Sequence, residues 1–536
     1  MPERRTTAIE LLTVAGFCAF LFYFGLAAFG LVGADEPRYA QIAREMLARH
    51  DWVTPVLYGH PWLEKPPLYY WRAMVAYRLF GVSDWAARLP SATAATVMVA
   101  VIYFFLWRFR PGTQLNGALM TAASAGVIGF ARGAGTDMQL AASFTIGMLA
   151  WFVWYAGGRR LWLPFFYLFM GLGTLAKGPV SPFLAGVIIV TFAWVRQEAK
   201  LILRTLWWPG ILLFVAVALP WYITVQTHNP QFAREFILQH NLERFTTNRY
   251  HHRQPFWYFL PVLLAGVLPW TALTVAGWVE TIRNWKEAHA ERQGSLPAFL
   301  VLWTAVVLVF FSLSGSKLPG YILPAVPACT ILAADWVARR ERLGRAVVII
   351  QGVLSGGLLA GALLYPSLLA FRHGAIPATA RWIAIGTGVV VLVATVAALA
   401  AKGSAALRLV VLTPVILGLA FLLRPGAPAI DNALSARPVA REIAQMESRP
   451  VPVAVFKASR ETEYGLAFYR NQPIPRYERG EIPAQDNLVV APGDAEDDLI
   501  KLVRPRRVSR LGAFAPQRLE FFWVSTPPPM SMEHHH

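Results

Sequence analysis

The stretch LLTVAGFCAFLFYFGLAAFGLVGADEPRYA, residues 11–40, decides the fold class. From Leu11 to Ala34 it carries no charge, and then two carboxylates arrive together at Asp35-Glu36. About 20 apolar residues at helical rise cross the ~30 Å hydrocarbon layer of a bilayer, so the run predicts a membrane span over 8–31. A cleaved leader is not expected, because the run is too long and lacks a convincing small-residue cleavage site. Comparable runs recur near 84–107, 115–131, 138–157, 161–176, 179–195, 205–226, 256–280, 297–314, 318–337, 346–368, 379–401 and 407–424. The expected fold is therefore an α-helical polytopic membrane protein with about 13 transmembrane helices over residues 1–424.

Composition agrees. The 536 residues are 56% hydrophobic and only 15% charged, where soluble domains average about 25% charged. Mean hydropathy is +0.44. A water-soluble globule could not cover so much apolar surface. The net charge of +18 would suggest nucleic acid in a soluble chain. Here the cations sit in short loops between apolar runs, where they set membrane orientation, and no nucleic-acid partner is expected.

Alternate connections are rich in cations: Arg4 and Arg5; Arg108 and Arg110; Arg159 and Arg160; Arg196, Lys200 and Arg204; Arg283, Lys286 and Arg292; Arg339, Arg340, Arg342 and Arg345; Lys402 and Arg408. The intervening short loops hold single cations, Arg132, Lys177, Lys317 and Arg372. The positive-inside rule makes the first set and the N-terminus cytoplasmic. The loops 33–83 and 227–255 then face outward, together with the C-terminal segment. Cys18 and Cys329 lie inside apolar runs and form no disulfide framework.

From about 425 the pattern changes to short strands at 451–456, 466–469, 488–490 and 518–524, with a helix at 494–503. Residues 425–530 read as a small α/β domain, and 531–536, ending in three histidines, as a purification-tag remnant. No internal repeat supports an inverted-repeat transporter.

The informative polar residues lie at the outward ends of the runs. Asp35 and Glu36 stand at a membrane boundary, where carboxylates must face water or a protein cavity; a helix start capped by Asp35 would equally place them there. Next, Trp62-Leu63-Glu64-Lys65-Pro66-Pro67-Leu68-Tyr69-Tyr70-Trp71 sets an acid beside a base at a rigid Pro-Pro corner. Its aromatics suit an interfacial belt. Asp137 follows Arg132, Lys177 lies in an apolar Gly173–Pro179 context, and Ser314-Gly315-Ser316-Lys317-Leu318-Pro319-Gly320-Tyr321 adds a third lysine. Arg244, Arg249, His251, His252 and Arg253 come from the second long loop.

Snorkelling explains any one of these cations equally well. Their gathering on one membrane face favours a phosphate-bearing lipid ligand instead. A nucleotide cofactor is not expected, since no GxGxxG or GxxxxGK[ST] occurs in a strand–helix context. No His/Cys spacing marks a structural zinc site.

At Asp35-Glu36, Leu63-Glu64-Lys65-Pro66-Pro67-Leu68, Leu175-Ala176-Lys177-Gly178-Pro179 and Ser316-Lys317-Leu318-Pro319 with Tyr321, the sequence resembles the lipid A aminoarabinose transferases. These are membrane glycosyltransferases of the GT-C type, related to protein O-mannosyltransferases. The resemblance implies a GT-C membrane domain and inverting transfer of 4-amino-4-deoxy-L-arabinose from undecaprenyl phosphate to a phosphate of lipid A. It implies a periplasmic site on a bacterial inner membrane and resistance to cationic peptides. Lys65 and Arg249 would stabilise the leaving phosphate, with Lys177, Lys317, Tyr321 and Arg244 as further substrate contacts. Asp35, Asp137 and Glu36 would be the catalytic residues, Asp35 binding or orienting the acceptor with Asp137 as its partner. Glu64 with a histidine of 251–252 could hold a divalent ion. Alternatives are another polyprenyl-phosphate-sugar transferase acting on protein or glycolipid, a lipid flippase, or a non-catalytic membrane scaffold. A flippase predicts ionisable residues deep in mid-span, whereas here the acids cluster at one boundary.

Overall fold

The computed structural model describes residues 2–236, 254–288, 292, 294–372 and 374–526. Each apolar run of the sequence is helical. The first becomes α1 (Pro2–Cys18) followed by a π turn at Ala19–Tyr23. Two shorter helices outside the apolar runs follow, α2 (Asp35–Ala48) and α3 (Leu68–Phe80), joined through a hairpin of β1 (Val56–Leu57) and β2 (His60–Pro61). Then come α4 (Asp84–Phe109), α5 (Gln114–Ala122), α6 (Ala125–Ala131), α7 (Asp137–Gly157), α8 (Leu163–Lys177) and α9 (Val180–Val195). Beyond them lie Trp208–His228, Leu296–Ser312, Val326–Ala338, Arg345–Ala370, Ala378–Lys402 and Leu407–Leu423.

Among the described residues, six helical stretches are long and apolar enough to cross a membrane, or seven counting one bent pair. That falls short of the expected thirteen in part because two expected runs, 379–401 and 407–424, count as the single stretch Ala378–Leu423. Runs such as Thr7–Tyr23, Val180–Val195 and Leu296–Ser312 are short helices. The run 256–280 is broken, its two halves Phe256–Gly266 and Thr271–Arg283 meeting at 117°.

Burial separates inner from outer helices. In α7, 83% of the apolar window is buried, against 22% in Trp208–His228, whose Trp208, Leu212 and Ile223 remain outside. An all-round apolar helix belongs either inside or against lipid, and here both cases occur. The inner core is aromatic: Trp151 of α7 stacks on Tyr155 and Phe299, with centroids 5.6 Å apart in each case. Arg345–Ala370 and Ala378–Lys402 pack backbone to backbone. A Cβ at Gly356 would come within 2.3 Å of the Gly388 carbonyl oxygen, the small-residue contact that lets membrane helices approach.

The C-terminal region holds a four-stranded sheet in the order β3 (Val453–Val455), β4 (Asn487–Pro492), β6 (Leu519–Ser525), β5 (Arg507–Phe514). The β3–β4 pair is parallel and the other two pairs are antiparallel. The strand expected at 466–469 is instead part of the helix Arg460–Arg470. Local capping decides it: the Ser459 hydroxyl accepts from Thr462 N–H, Glu461 and Glu463 occupy the first turn, and Asn471 closes the end at φ 52°. Strand β5 has no counterpart among the strands expected from the sequence.

This sheet region is tied to the membrane helices by polar contacts. Arg437 donates to Asp84 at 2.9 Å, to Asp431 at 2.7 Å, and to the carbonyls of Ala27 and Ala28. Asp431 accepts from Gly30 N–H at 2.8 Å. Tyr469 donates to Asp84 and accepts from Leu31 N–H, both at 2.7 Å.

Candidate active site

The first span ends unusually. After Tyr23 the helix stops, leaving a run of carbonyls without the amides that would continue it. Two buried arginines supply donors. Arg132 donates to the carbonyls of Leu21, Phe24 and Gly25, and Arg88 to those of Leu26, Phe29 and Gly30. Arg132 is therefore no outward loop cation as the sequence suggested: its guanidinium is inside, completing backbone hydrogen bonds.

The adjacent acids point apart, as neighbours on a helix must. Glu36 turns inward, its side chain 12% exposed. It accepts from Val32 N–H at 2.8 Å, Ala134 N–H at 2.7 Å and Arg88 Nη2 at 2.7 Å. Those three donors tie Glu36 into the framework at the end of the first span. Asp35 turns outward, with 60% of its side chain exposed and one oxygen 2.6 Å from Arg38 Nη2. It is not the helix cap, which is Ala34.

Around Arg38 the stretch 62–70 supplies its aromatics. Trp62 faces the guanidinium, while Tyr69 and Tyr70 are fully buried beneath, packed with Tyr39. These tyrosines are core rather than the interfacial belt expected of them. Burial, with the charges of Asp35 and Glu64 nearby, holds the Tyr39 and Tyr70 hydroxyls well above the usual tyrosine range. Burial opposes the charge on Arg38, yet Tyr39, Asp35 and Glu64 outweigh it and raise its proton affinity.

A second cluster forms because α7 and α8 are antiparallel neighbours: the first residue of one and the last of the other meet at one end. Asp137, in the first turn of α7, pairs with Lys177, the last residue of α8. Both charges suit their helix ends. The Lys177 ammonium stands 4.7 Å from the Tyr321 ring centroid. Ala134, whose N–H donates to Glu36 at 2.7 Å, stands three residues before Asp137, so the two clusters are neighbours.

Gly320 makes the fit possible, because a Cβ there would lie 2.6 Å from Asp137 Oδ1. Gly320→Ala is accordingly expected to push Asp137 off Lys177 and lower transfer about 10²-fold, since misplacements near 1 Å have that effect. The unfolding midpoint should stay near wild type. An unchanged rate would remove the Asp137–Lys177 pair from the machinery.

Leu63 shares an apolar cluster with Leu175, Trp221, Val225, Phe232 and Phe236, which draws the Glu64-Lys65 corner toward the end of α8. Trp221 Nε1 donates to the Val53 carbonyl at 2.9 Å and fixes the same corner from another side. Lys317 behaves differently from Lys177. It is buried, its Nζ donates to the Ser314 carbonyl at 2.5 Å, and burial lowers its proton affinity. Arg244, Arg249, His251 and His252 lie outside the described residues. No group of three His, Cys, Asp or Glu side chains placed to hold a metal occurs among the described residues.

Sequence reasoning missed Arg88 and Arg38. Arg88, near the start of the apolar Asp84–Phe109 stretch, was a legible signal for a buried partner, since such a charge must be paired. Nothing in the sequence pointed to the Asp84–Arg437 pair, which joins the C-terminal region to α4.

The fold and this cluster define a GT-C-type membrane glycosyltransferase. Residues 7–235 match the family model described as dolichyl-phosphate-mannose-protein mannosyltransferase. The undecaprenyl phosphate-alpha-4-amino-4-deoxy-L-arabinose arabinosyl transferase of Pseudomonas aeruginosa (strain UCBPP-PA14) is 32% identical over 381 residues, 69% of this chain and 66% of that one. The crystal structure of ArnT from Cupriavidus metallidurans bound to undecaprenyl phosphate aligns with TM-score 0.78 and 25% identity, covering 97% of this chain and 99% of that chain. The archaeal oligosaccharyltransferase AglB from Archaeoglobus fulgidus shares the fold alone, at TM-score 0.51 and 11% identity over 92% of this chain and 70% of that chain. The chain belongs to the undecaprenyl phosphate-aminoarabinose arabinosyl transferase family. It spans 66% of the length of the Pseudomonas aeruginosa relative.

Proposed function

We propose that the chain moves 4-amino-4-deoxy-L-arabinose from undecaprenyl phosphate to a phosphate of lipid A, at the periplasmic face of a bacterial inner membrane. The carrying observation is the Asp137–Lys177 pair under Tyr321, beside the outward Asp35 held by Arg38. The names of the relatives and the lipid phosphate bound in the aligned structure support the donor class. The cation distribution between loops supports the orientation.

In this reading an oxygen of the lipid A phosphate attacks the anomeric carbon from the face opposite the polyprenyl phosphate. The C–O bond to the carrier breaks, and its electron pair leaves with undecaprenyl phosphate, so configuration inverts. The acceptor is already anionic, so no strong base is required. Lys65 and Arg249, with Lys177 as a second-tier candidate, offset the negative charge that grows on the departing phosphate. Asp35 pairs with the ammonium of the sugar or orients the acceptor. Glu64, with His251 or His252, is the proposed ligand set for a divalent ion, and no step above passes through it.

The match to the mannosyltransferase model favours one second reading, transfer of another polyprenyl-linked sugar to protein. Mass analysis of lipid A from a strain lacking its own transferase separates them. Lipid A that gains aminoarabinose on expression of the chain, and loses that gain with Lys65→Ala, supports the proposal. Unmodified lipid A together with newly glycosylated protein supports the second reading.

A further inference from the structure

The C-terminal sheet region has no part in the transfer described so far, yet one of its side chains reaches the site. The helix Arg460–Arg470 lies on α2, and its Tyr464 and Phe468 are buried in one apolar cluster with Tyr39, Tyr69 and Tyr70. The Arg38 guanidinium carbon is 5.5 Å from the Tyr464 ring centroid, 5.0 Å from Trp62 and 5.2 Å from Tyr39. Three aromatic rings thus surround one cation. Arg38 Nε is buried and has no hydrogen-bond partner among the described residues, while Nη2 donates to Asp35. A ring face attracts a guanidinium without competing for the N–H that holds the carboxylate.

The approach of Tyr464 is fixed from both ends of its helix. Ser459 caps the start, and Arg44 of α2 donates to the Phe468 carbonyl at 3.0 Å. Tyr469 and Arg437 are both bonded to Asp84, at the first turn of α4. Trp62 and Tyr39 belong to the membrane-side half, so Tyr464 is the wall of the enclosure that the C-terminal region supplies. Without it the guanidinium is free to turn toward Glu64, whose charge it already feels.

We propose that Tyr464 is a positioning residue, through which the C-terminal region holds Arg38 against Asp35 and so fixes the direction of the exposed carboxylate. The kinetic part of this proposal rests on the sugar-transfer reading; the structural part stands apart from it.

The test uses the full chain in lipid nanodiscs, as wild type, Tyr464→Leu and Tyr464→Phe. Four quantities are measured: kcat, binding of undecaprenyl phosphate, the unfolding midpoint, and modification of Arg38 by phenylglyoxal, read by mass spectrometry. Tyr464→Leu is expected to lower kcat about 10- to 30-fold, the range one desolvated cation–π contact supplies. Undecaprenyl phosphate binding and the midpoint should hold, and Arg38 should become more reactive. Tyr464→Phe, which keeps the ring face, should restore kcat and protection together.

Unchanged kcat and unchanged labelling in the leucine variant overturn the proposal, as does a phenylalanine variant as defective as leucine. Should Tyr464→Leu not fold, Tyr464→Met is read by the same measures. A wild-type chain that transfers no sugar defeats the transfer reading, while the labelling still decides whether Tyr464 holds Arg38.

Discussion

Arg88→Ala should destabilise the protein by about 3–5 kcal/mol, the largest stability effect expected of any single side chain here. The guanidinium is 1% exposed, so its removal admits little water. Glu36 is left as a buried carboxylate without its cation, and the carbonyls of Leu26, Phe29 and Gly30 lose their donor. The unfolding midpoint in nanodiscs reads the loss. Arg132→Ala should fall less, by about 1.5–3 kcal/mol, because it removes charged hydrogen bonds to carbonyls and strands no acid. Pairing Arg88→Met with Glu36→Gln should recover part of the stability, since the uncompensated charge goes with the cation. An Arg88→Ala protein as stable as Arg132→Ala would show that the Glu36–Arg88 pair does not hold the end of the first span.

Asp35→Asn should give the opposite profile. Its side chain is mostly exposed and pairs with one arginine, so the midpoint should move by less than about 1 kcal/mol. Transfer should drop about 10²- to 10³-fold, the range for losing one preorganised electrostatic group at a reacting centre. Glu36→Gln should reverse the pattern, with stability lost first. Single-turnover rates alongside melting curves separate the two acids. Full transfer by Asp35→Asn would exclude its carboxylate from acceptor or sugar binding.

This division between Asp35 and Glu36 shows where sequence reading stops. Apolar run length located the long apolar helices of the membrane portion, because crossing hydrocarbon demands it whatever the partner, but not α2 and α3, which lie outside those runs. It did not reveal which runs would be broken, as at 256–283, where the helix stops at Gly266 and restarts at Thr271 around Pro269. The doublet, Lys65 at its Pro-Pro corner and Lys177 in its apolar setting were the candidates the sequence offered. Which acid would face inward depended on Arg88, 52 residues further along and legible only as an arginine in an apolar helix. Tyr464 gave no signal, being a tyrosine in an ordinary amphipathic segment whose meaning comes from docking on α2. The strand expected at 466–469 fails for a local reason: Ser459, Glu461, Glu463 and Asn471 spell a capped helix, and they outweigh the apolar four-residue run between them.

The bonds from Asp431 and Arg437 to residues 27–30 also bear on biosynthesis. Gly30 leaves the ribosome some four hundred residues ahead of its partner, so during insertion that corner of the chain stays unfinished. A chain ended between Leu423 and Asp431 would carry the membrane helices yet lack these bonds. That corner can close only once residues 431–437 have been made.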